Sequence, residues 1–303
     1  MEKMFFQVPQ EMEGERLDVF INEWIDTVSR SYLQKLIKDG QVTVNGKVVK
    51  PSFDVKTDDE VLVCLPEAVE PEIKAENIPL DILYEDKDVL VVNKPKGMVV
   101  HPAAGHYEGT LVNALMYHCK DDLSGINGVM RPGIVHRIDR DTTGSLIICK
   151  NDFAHHSIAE QLKEHSIKRV YKAIITGNFP ESEGTINAPI GRHPVERKKM
   201  AVVPNGREAI THYKILQPLK GYAYAQFQLE TGRTHQIRVH MASKGHPLLG
   251  DTVYGSGKDP YHTNGQVLHA QTLGFIHPRT GEYIEVNAPL PEYFEKLLVK
   301  LEV

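Results

Sequence analysis

The stretch 131-RPGIVHRIDRDTTGSLIICK-150 changes character halfway along. Its first half sets the cations His136, Arg137 and Arg140 around the carboxylates Asp139 and Asp141. Its second half turns through Thr142, Thr143 and Gly144 into Ser-Leu-Ile-Ile-Cys and ends at Lys150, which reads as a buried strand bounded by polar residues. A charged loop anchored directly to a core strand is where a scaffold mounts a site. Asp139, flanked by two arginines, remains ionised, which suits a nucleophile or an electrostatic stabiliser better than a general acid. A surface ion-pair cluster has the same composition. Asp141 competes with Asp139, and spacing alone does not choose between them.

Working outward, the N-terminal part places Leu17, Phe20, Ile21 and Trp24 at helical spacing. A second helix is predicted from an N-cap at Ser29 through Leu33, Leu36 and Ile37, closed by Gly40. "QVTV", Asn45-Gly46 and "KVV" spell a hairpin, and Asp58 to Val63 alternates into another strand. The acidic, proline-containing "PEAVEPEIKAENIP" predicts a linker, so the expected domains are 1–76 and 77–303. Beyond it come a strand pair around Glu85 to Asp88, a helix at "GTLVNALMYHC", the strand "GSLIICK" and a helix from Asp152. Further strand patterns follow at "KRVYKAIITG", "TINAPI", "AITHYKILQ" and "AYAQFQLET". Helices and strands mix without regular βαβ alternation, which predicts an α+β fold with a largely antiparallel sheet.

The chain has 303 residues, 41% hydrophobic and 25% charged, as ordinary globular domains do. Its 3 cysteines form no CxxC pair, so neither a disulfide framework nor a zinc site is expected, and a reducing cytoplasm fits. No apolar run approaches the ~20 residues that span a bilayer, and the chain reads as neither exported nor inserted. The net charge of −5 hides local contrast: Arg30, Lys35, Lys38, Lys47 and Lys50 face Asp39 alone, and Arg192, Arg197, Lys198 and Lys199 face Glu196. Basic faces on an acidic protein suit a polyanion gripped at particular points.

Two further segments hold chemistry. In "LETGRTHQIRVHMASKGHPLLGDTVYG", Thr234 is read as the cap of a short helix that Gly245 ends, with Arg233 at its start and Ile237 and Met241 on one apolar face. His235, His240 and His246 lack a metal-site pattern and read as structural or RNA-contacting. In "KRVYKAII", Tyr171 sits among Arg169 and Lys172, as a core residue or as a platform for a displaced base. Phosphate-loop, GxSxG and zinc-deaminase patterns are absent.

"NKPKGMVVHP", "HRIDRDTTG", "KRVYKAII" and "TGRTHQIRVHMASKGHPLLGDTVYG", in this order, resemble the RluA/RluD-type pseudouridine synthases, and the first segment resembles the small S4-like αL RNA-binding domain. Together the two resemblances cover nearly the whole chain. Ile138 stands where Leu is usual, Thr143 where Ser is frequent and Asp58 where Gly is common, and none of the three removes a reacting group.

The resemblance implies the pseudouridine synthase fold and isomerisation of uridine in RNA, with large-subunit ribosomal RNA as substrate by similarity to the RluD branch. It implies Asp139 as the catalytic aspartate and Arg137 as the residue pushed into the RNA stack. Tyr171 corresponds to the tyrosine stacked on the flipped uracil, and Arg233 to the arginine paired with Asp139. His136 joins Arg137 as an RNA contact, and Arg30, Lys35 and Lys38 would grip phosphates. No cofactor and no metal are expected, and a monomer is. Two rivals remain: a non-catalytic RNA-binding assembly factor on the same fold, and a two-carboxylate hydrolase of nucleosides or glycosides.

Overall fold

A computed structural model of the protein describes residues 2–25, 30–65, 73–103, 106–120, 122–126, 131–196 and 199–303. The chain forms two compact units, Met1–Pro71 and Glu72–Val303. The expected boundary at 76 falls inside the second unit because residues 74–76 are tied to its first helix. Asn113 Nδ2 donates to the Lys74 carbonyl, and Glu76 N to the Asn113 carbonyl. The rest of the expected linker, 66–72, lies outside the described residues, as do Ser29, Arg197 and Lys198.

The first unit contains β1 (Glu2–Gln7), α1 (Leu17–Trp24), α2 (Arg30–Lys38), β2 (Val42–Val44), β3 (Lys47–Val48) and β4 (Glu60–Leu65). Its antiparallel sheet runs β1-β4-β2-β3, and Leu17, Phe20, Leu33 and Ile37 of the helices pack on Val42 and Val63. Asn45 and Gly46 both take positive φ, at 49° and 74°, the conformation a two-residue hairpin turn needs. Asp58 also adopts positive φ, at 68°, a conformation aspartate tolerates better than most residues. Buried Asp18 gathers Arg16, Arg30 and Gln34. Burial alone would raise its pKa, but the hydrogen bonds from these three side chains hold the carboxyl below its ordinary value.

The second unit is built on one sheet. Its strands are β5 (Ile82–Glu85), β6 (Val89–Lys94), β7 (Thr143–Cys149), β8 (Lys168–Thr176), β9 (Glu183–Asn187), β12 (Ile210–Leu219), β13 (Tyr222–Leu229), β14 (Leu268–Ile276) and β15 (Tyr283–Asn287). The order is β5-β6-β7-β14-β8-β13-β12-β9, with β15 pairing β14. The β7–β14 pairing is parallel and the other pairings of this sheet are antiparallel, so the expected α+β class holds. A separate hairpin joins β10 (Ile190–Arg192) to β11 (Met200–Val202). The helices are α3 (Leu111–Cys119), α4 (Asp152–Lys163), α5 (Gln236–Ser243) and α6 (Glu292–Lys300).

All seven residues of β7 are buried, as expected of the quoted stretch's apolar half. Here β7 meets β14 with almost no space between backbones: Gly144 has φ +110°, and a Cβ on it would overlap the Ala270 carbonyl and amide. Gly144→Ala is therefore expected to cost at least about 3 kcal/mol, through strain and overlap together. In a unit of this size that is a fall of roughly 6–12 °C in Tm by calorimetry, and an unchanged Tm would contradict this packing.

Candidate active site

The loop before β7 is fixed through its backbone. Lys94, at the end of β6, is fully buried, and its Nζ donates to the carbonyls of Pro95 (2.8 Å), Met98 (2.9 Å) and Arg140 (2.8 Å). Burial pushes this amine down to about 7, yet three carbonyl acceptors take three N–H groups, which only the protonated form supplies. Gly97 N adds a second bond to the Arg140 carbonyl at 3.0 Å, and Thr142 N closes a turn on the Asp139 carbonyl at 3.1 Å. The Asp139 side chain is thus presented by a backbone held on both sides.

Facing it is α5. Arg238 Nη1 donates to Asp139 Oδ2 at 2.8 Å. The rest of its guanidinium forks onto Asp251, with Nε to Oδ2 at 2.7 Å and Nη2 to Oδ1 at 3.0 Å. Asp251 Oδ1 also accepts from the backbone of Val253 and Tyr254, and the guanidinium lies 5.0 Å from the Tyr254 ring centroid. Burial opposes the charge on Arg238, but the Asp251 and Asp139 carboxylates hold its pKa above the usual value. His235 Nε2 is 3.7 Å from Asp139 Oδ1, and its Nδ1 is 2.7 Å from the Tyr254 hydroxyl. That hydroxyl also accepts from Met200 N at 3.0 Å. Burial pushes the His235 pKa down, which keeps the ring neutral.

Asp139 opens into a cavity of about 500 Å³ lined by Tyr171, Arg137, Arg169, His235 and Arg238 among others. Tyr171 is 8% exposed, and burial raises its hydroxyl pKa. Asp141, the competing carboxylate, is forked by Arg140 (3.0 and 3.2 Å) and lines a different cavity with Lys96 and Tyr293. The geometry thus separates the two carboxylates that spacing left open.

Several expected residues sit differently. The partner of Asp139 is Arg238, not Arg233, whose Nε is engaged by the Glu208 carbonyl at 2.8 Å. Arg233 precedes a left-handed turn at His235 (φ 58°), which points the chain away before the helix begins. Helical spacing gives no signal for Arg238, because His235, three residues before it, is a left-handed residue outside the helix. Thr234 does not cap α5. The N-cap is His235, with no side-chain cap bond, and Gln236 at the first helical position ties down the turn before it, accepting from Arg233 N and Thr231 Oγ1 at 2.8 Å each and donating to Ile210 O and Thr211 Oγ1 at 3.0 Å each. His136 lines the cavity, but its Nε2 accepts from Ile147 N at 3.1 Å and burial lowers its pKa to about 3. It is a neutral wall, not a cation for phosphate. His240 bonds Thr211 Oγ1 and the Ala188 carbonyl, and His246 the Thr176 carbonyl, so both are structural.

In the first unit Arg30 is tied to Asp18 at 2.9 Å, while Lys35 and Lys38 are exposed. Among the described residues, Asp86, Asp88 and His277 bring potential ligand atoms within 4.8 Å of one another. These atoms already serve the fold: Asp86 accepts from Asp88 N, Val89 N, Tyr84 and His277, and Asp88 is forked by Arg279.

Comparison with known proteins gives the family. Residues 88–243 match the family model described as RNA pseudouridylate synthase, and 15–61 match the S4 domain. The chain is 51% identical to the uncharacterized RNA pseudouridine synthase YlyB of Bacillus subtilis, over 99% of both chains. It is 48% identical to the ribosomal large subunit pseudouridine synthase D of Zymomonas mobilis, over 97% of this chain and 96% of that one. Among solved structures, human RNA pseudouridylate synthase domain containing 1 superposes with a TM-score of 0.59 at 28% identity, covering 71% of this chain and 85% of its own. A carboxylate set against a guanidinium in an aromatic-walled cavity and the match over more than half the chain lead to one conclusion: the protein belongs to the RNA pseudouridylate synthase family.

Proposed function

We propose that this isomerase converts uridine to pseudouridine in large-subunit ribosomal RNA, in the cytoplasm and as a monomer, with Asp139 as its catalytic carboxylate. The observation that supports this most is the Asp139–Arg238 pair at 2.8 Å, opening into the same cavity as Tyr171. The substrate class rests on the similarity to synthases named for the ribosomal large subunit.

The reaction breaks the bond between N1 of uracil and C1′ of ribose, turns the detached base, and joins C5 to C1′. The C5 proton leaves, N1 gains one, and no atom is added. Asp139 acts on the ribose or the ring, while Arg238 fixes the direction of its free lone pairs. Tyr171 offers a flat apolar wall that keeps the loose base from escaping. Exposed Arg137 enters the gap left in the RNA stack, offsetting part of the few kcal/mol that unstacking costs. Lys35 and Lys38, with the outer edge of Arg30, add phosphate contacts.

A hydrolase would need a second free carboxylate across the scissile bond. Asp251 lies behind Arg238 and Asp141 is committed to Arg140, which disfavours that alternative.

RNA transcribed with uridine tritiated at C5 tests the reading. The wild type is expected to release tritium from large-subunit ribosomal RNA and not from transfer RNA, and Asp139→Asn to release none. Binding without release would instead identify an assembly factor. The two arginines separate in the same assay. Arg238→Met should lower turnover by about 10²-fold or more, the scale of losing a preorganised electrostatic partner, whereas Arg233→Ala should stay within about tenfold of wild type. The reverse ranking would restore Arg233 as the partner of Asp139.

A further inference from the structure

Arg169 is 7% exposed, and its surroundings do not compensate its charge. Its Nη2 donates to the Glu230 carbonyl at 2.6 Å, and its Nε is buried without an acceptor. No carboxylate pairs with it among the described residues. Buried guanidiniums are normally paired, because an unmatched charge in a dry site is costly. Burial accordingly lowers the pKa of this one.

The site is nevertheless shaped around it. Arg169 and Tyr171 stand two apart on β8, hence on one face of the strand, and both line the cavity that holds Asp139. Gly232 makes room for the guanidinium: a Cβ there would fall 2.7 Å from Nη1. A cation has been built into the wall of the pocket with donor capacity that no protein group takes up.

We propose that Arg169 is a catalytic and specificity-determining residue that binds the carbonyl edge of the detached uracil; this rests on the reading of the Asp139 cavity as the uridine pocket. When the N1–C1′ bond breaks, its electron pair leaves with the base and spreads from N1 over the two carbonyl oxygens. A guanidinium beside those oxygens stabilises that charge until C5 bonds to C1′, the C5 proton departs and N1 is protonated.

Symmetry makes one arginine sufficient. Turning uracil by half a turn about its N3–C6 axis exchanges N1 with C5 and also exchanges the two carbonyls. The same donor therefore meets a carbonyl oxygen before and after the turn. Cytosine fails this test, because the turn replaces its carbonyl with an amino group, and arginine has donors only. The pocket thus selects uridine by what the base presents in both orientations.

The test compares single-turnover rates on RNA containing uridine with rates on the same RNA containing 5-fluorouridine, whose ring bears negative charge more readily. Because fluorine cannot leave C5 as a proton does, the rearranged 5-fluorouridine keeps it and takes up water at C6, and loss of the starting nucleoside is followed by chromatography of the digested RNA. Arg169→Gln is expected to slow uridine RNA by about 10²-fold, with RNA affinity within about twofold of wild type. The defect should shrink by about tenfold on 5-fluorouridine RNA, because less charge then needs stabilising. The ratio of the two rates does not depend on how much of the variant is folded, and Arg169→Met, read the same way, serves if the Gln variant does not fold. An unchanged ratio, or a loss confined to RNA affinity, would make Arg169 structural and overturn the proposal. Failure of the wild type itself to isomerise any RNA would overturn the reading of the cavity, and the role of Arg169 with it.

Discussion

One guanidinium held between two carboxylates sets the geometry of the catalytic unit. Arg238 takes the fork of Asp251 on one side and a single oxygen of Asp139 on the other. The two contacts have different jobs. Asp251 is buried and braced by two backbone amides, so it fixes where the arginine stands. Asp139 is partly open to the cavity, so it receives direction from the arginine while keeping an oxygen free. Truncating one member of such a buried set leaves an uncompensated charge, typically a loss of about 3–5 kcal/mol, so activity and folding stability are tied together here.

The surrounding structure limits the freedom of this pair. Lys94 and Gly97 hold the Arg140 carbonyl, one residue beyond Asp139, and β7 follows at once into the middle of the sheet. On the opposite wall, Gln236 satisfies four groups from Ile210 to Arg233 and sets the start of α5. Residues that touch no substrate therefore determine the distance between those that do. This is the support that a site positioned to a fraction of an ångström requires.

Much of this was legible in the sequence where local physics decides. The α2 apolar stripe of Leu33, Leu36 and Ile37 is buried, Asn45-Gly46 turns the hairpin, and the apolar half of the quoted stretch is a wholly buried strand. The α+β class followed from the irregular mix of elements. What sequence did not reveal depends on contacts between distant segments. β1 reads as "EKMFFQ", whose adjacent phenylalanines blur the alternation, and Phe5 is 74% exposed while Phe6 packs on the core. The choice between Arg233 and Arg238 turned on a single left-handed residue, His235, that no periodicity announces. Gln236 looked like an ordinary helical residue because its partners, Ile210 and Thr211, lie 25 or more residues upstream. The resemblance to known synthases identified the family and left the side-chain geometry to the structure.

The spacing of the two carboxylates along the chain has a consequence for the order of assembly. Asp251 is 13 residues from Arg238, whereas Asp139 is 99 residues away. Closing the longer loop costs about 2 kcal/mol more in chain entropy, so the local pair is favoured first and the distant one last. During synthesis from the N-terminus, the loop bearing Asp139 emerges long before its arginine. The polypeptide therefore acquires its reactive geometry only late in folding, once the strands from β8 to β13 have brought α5 across to it.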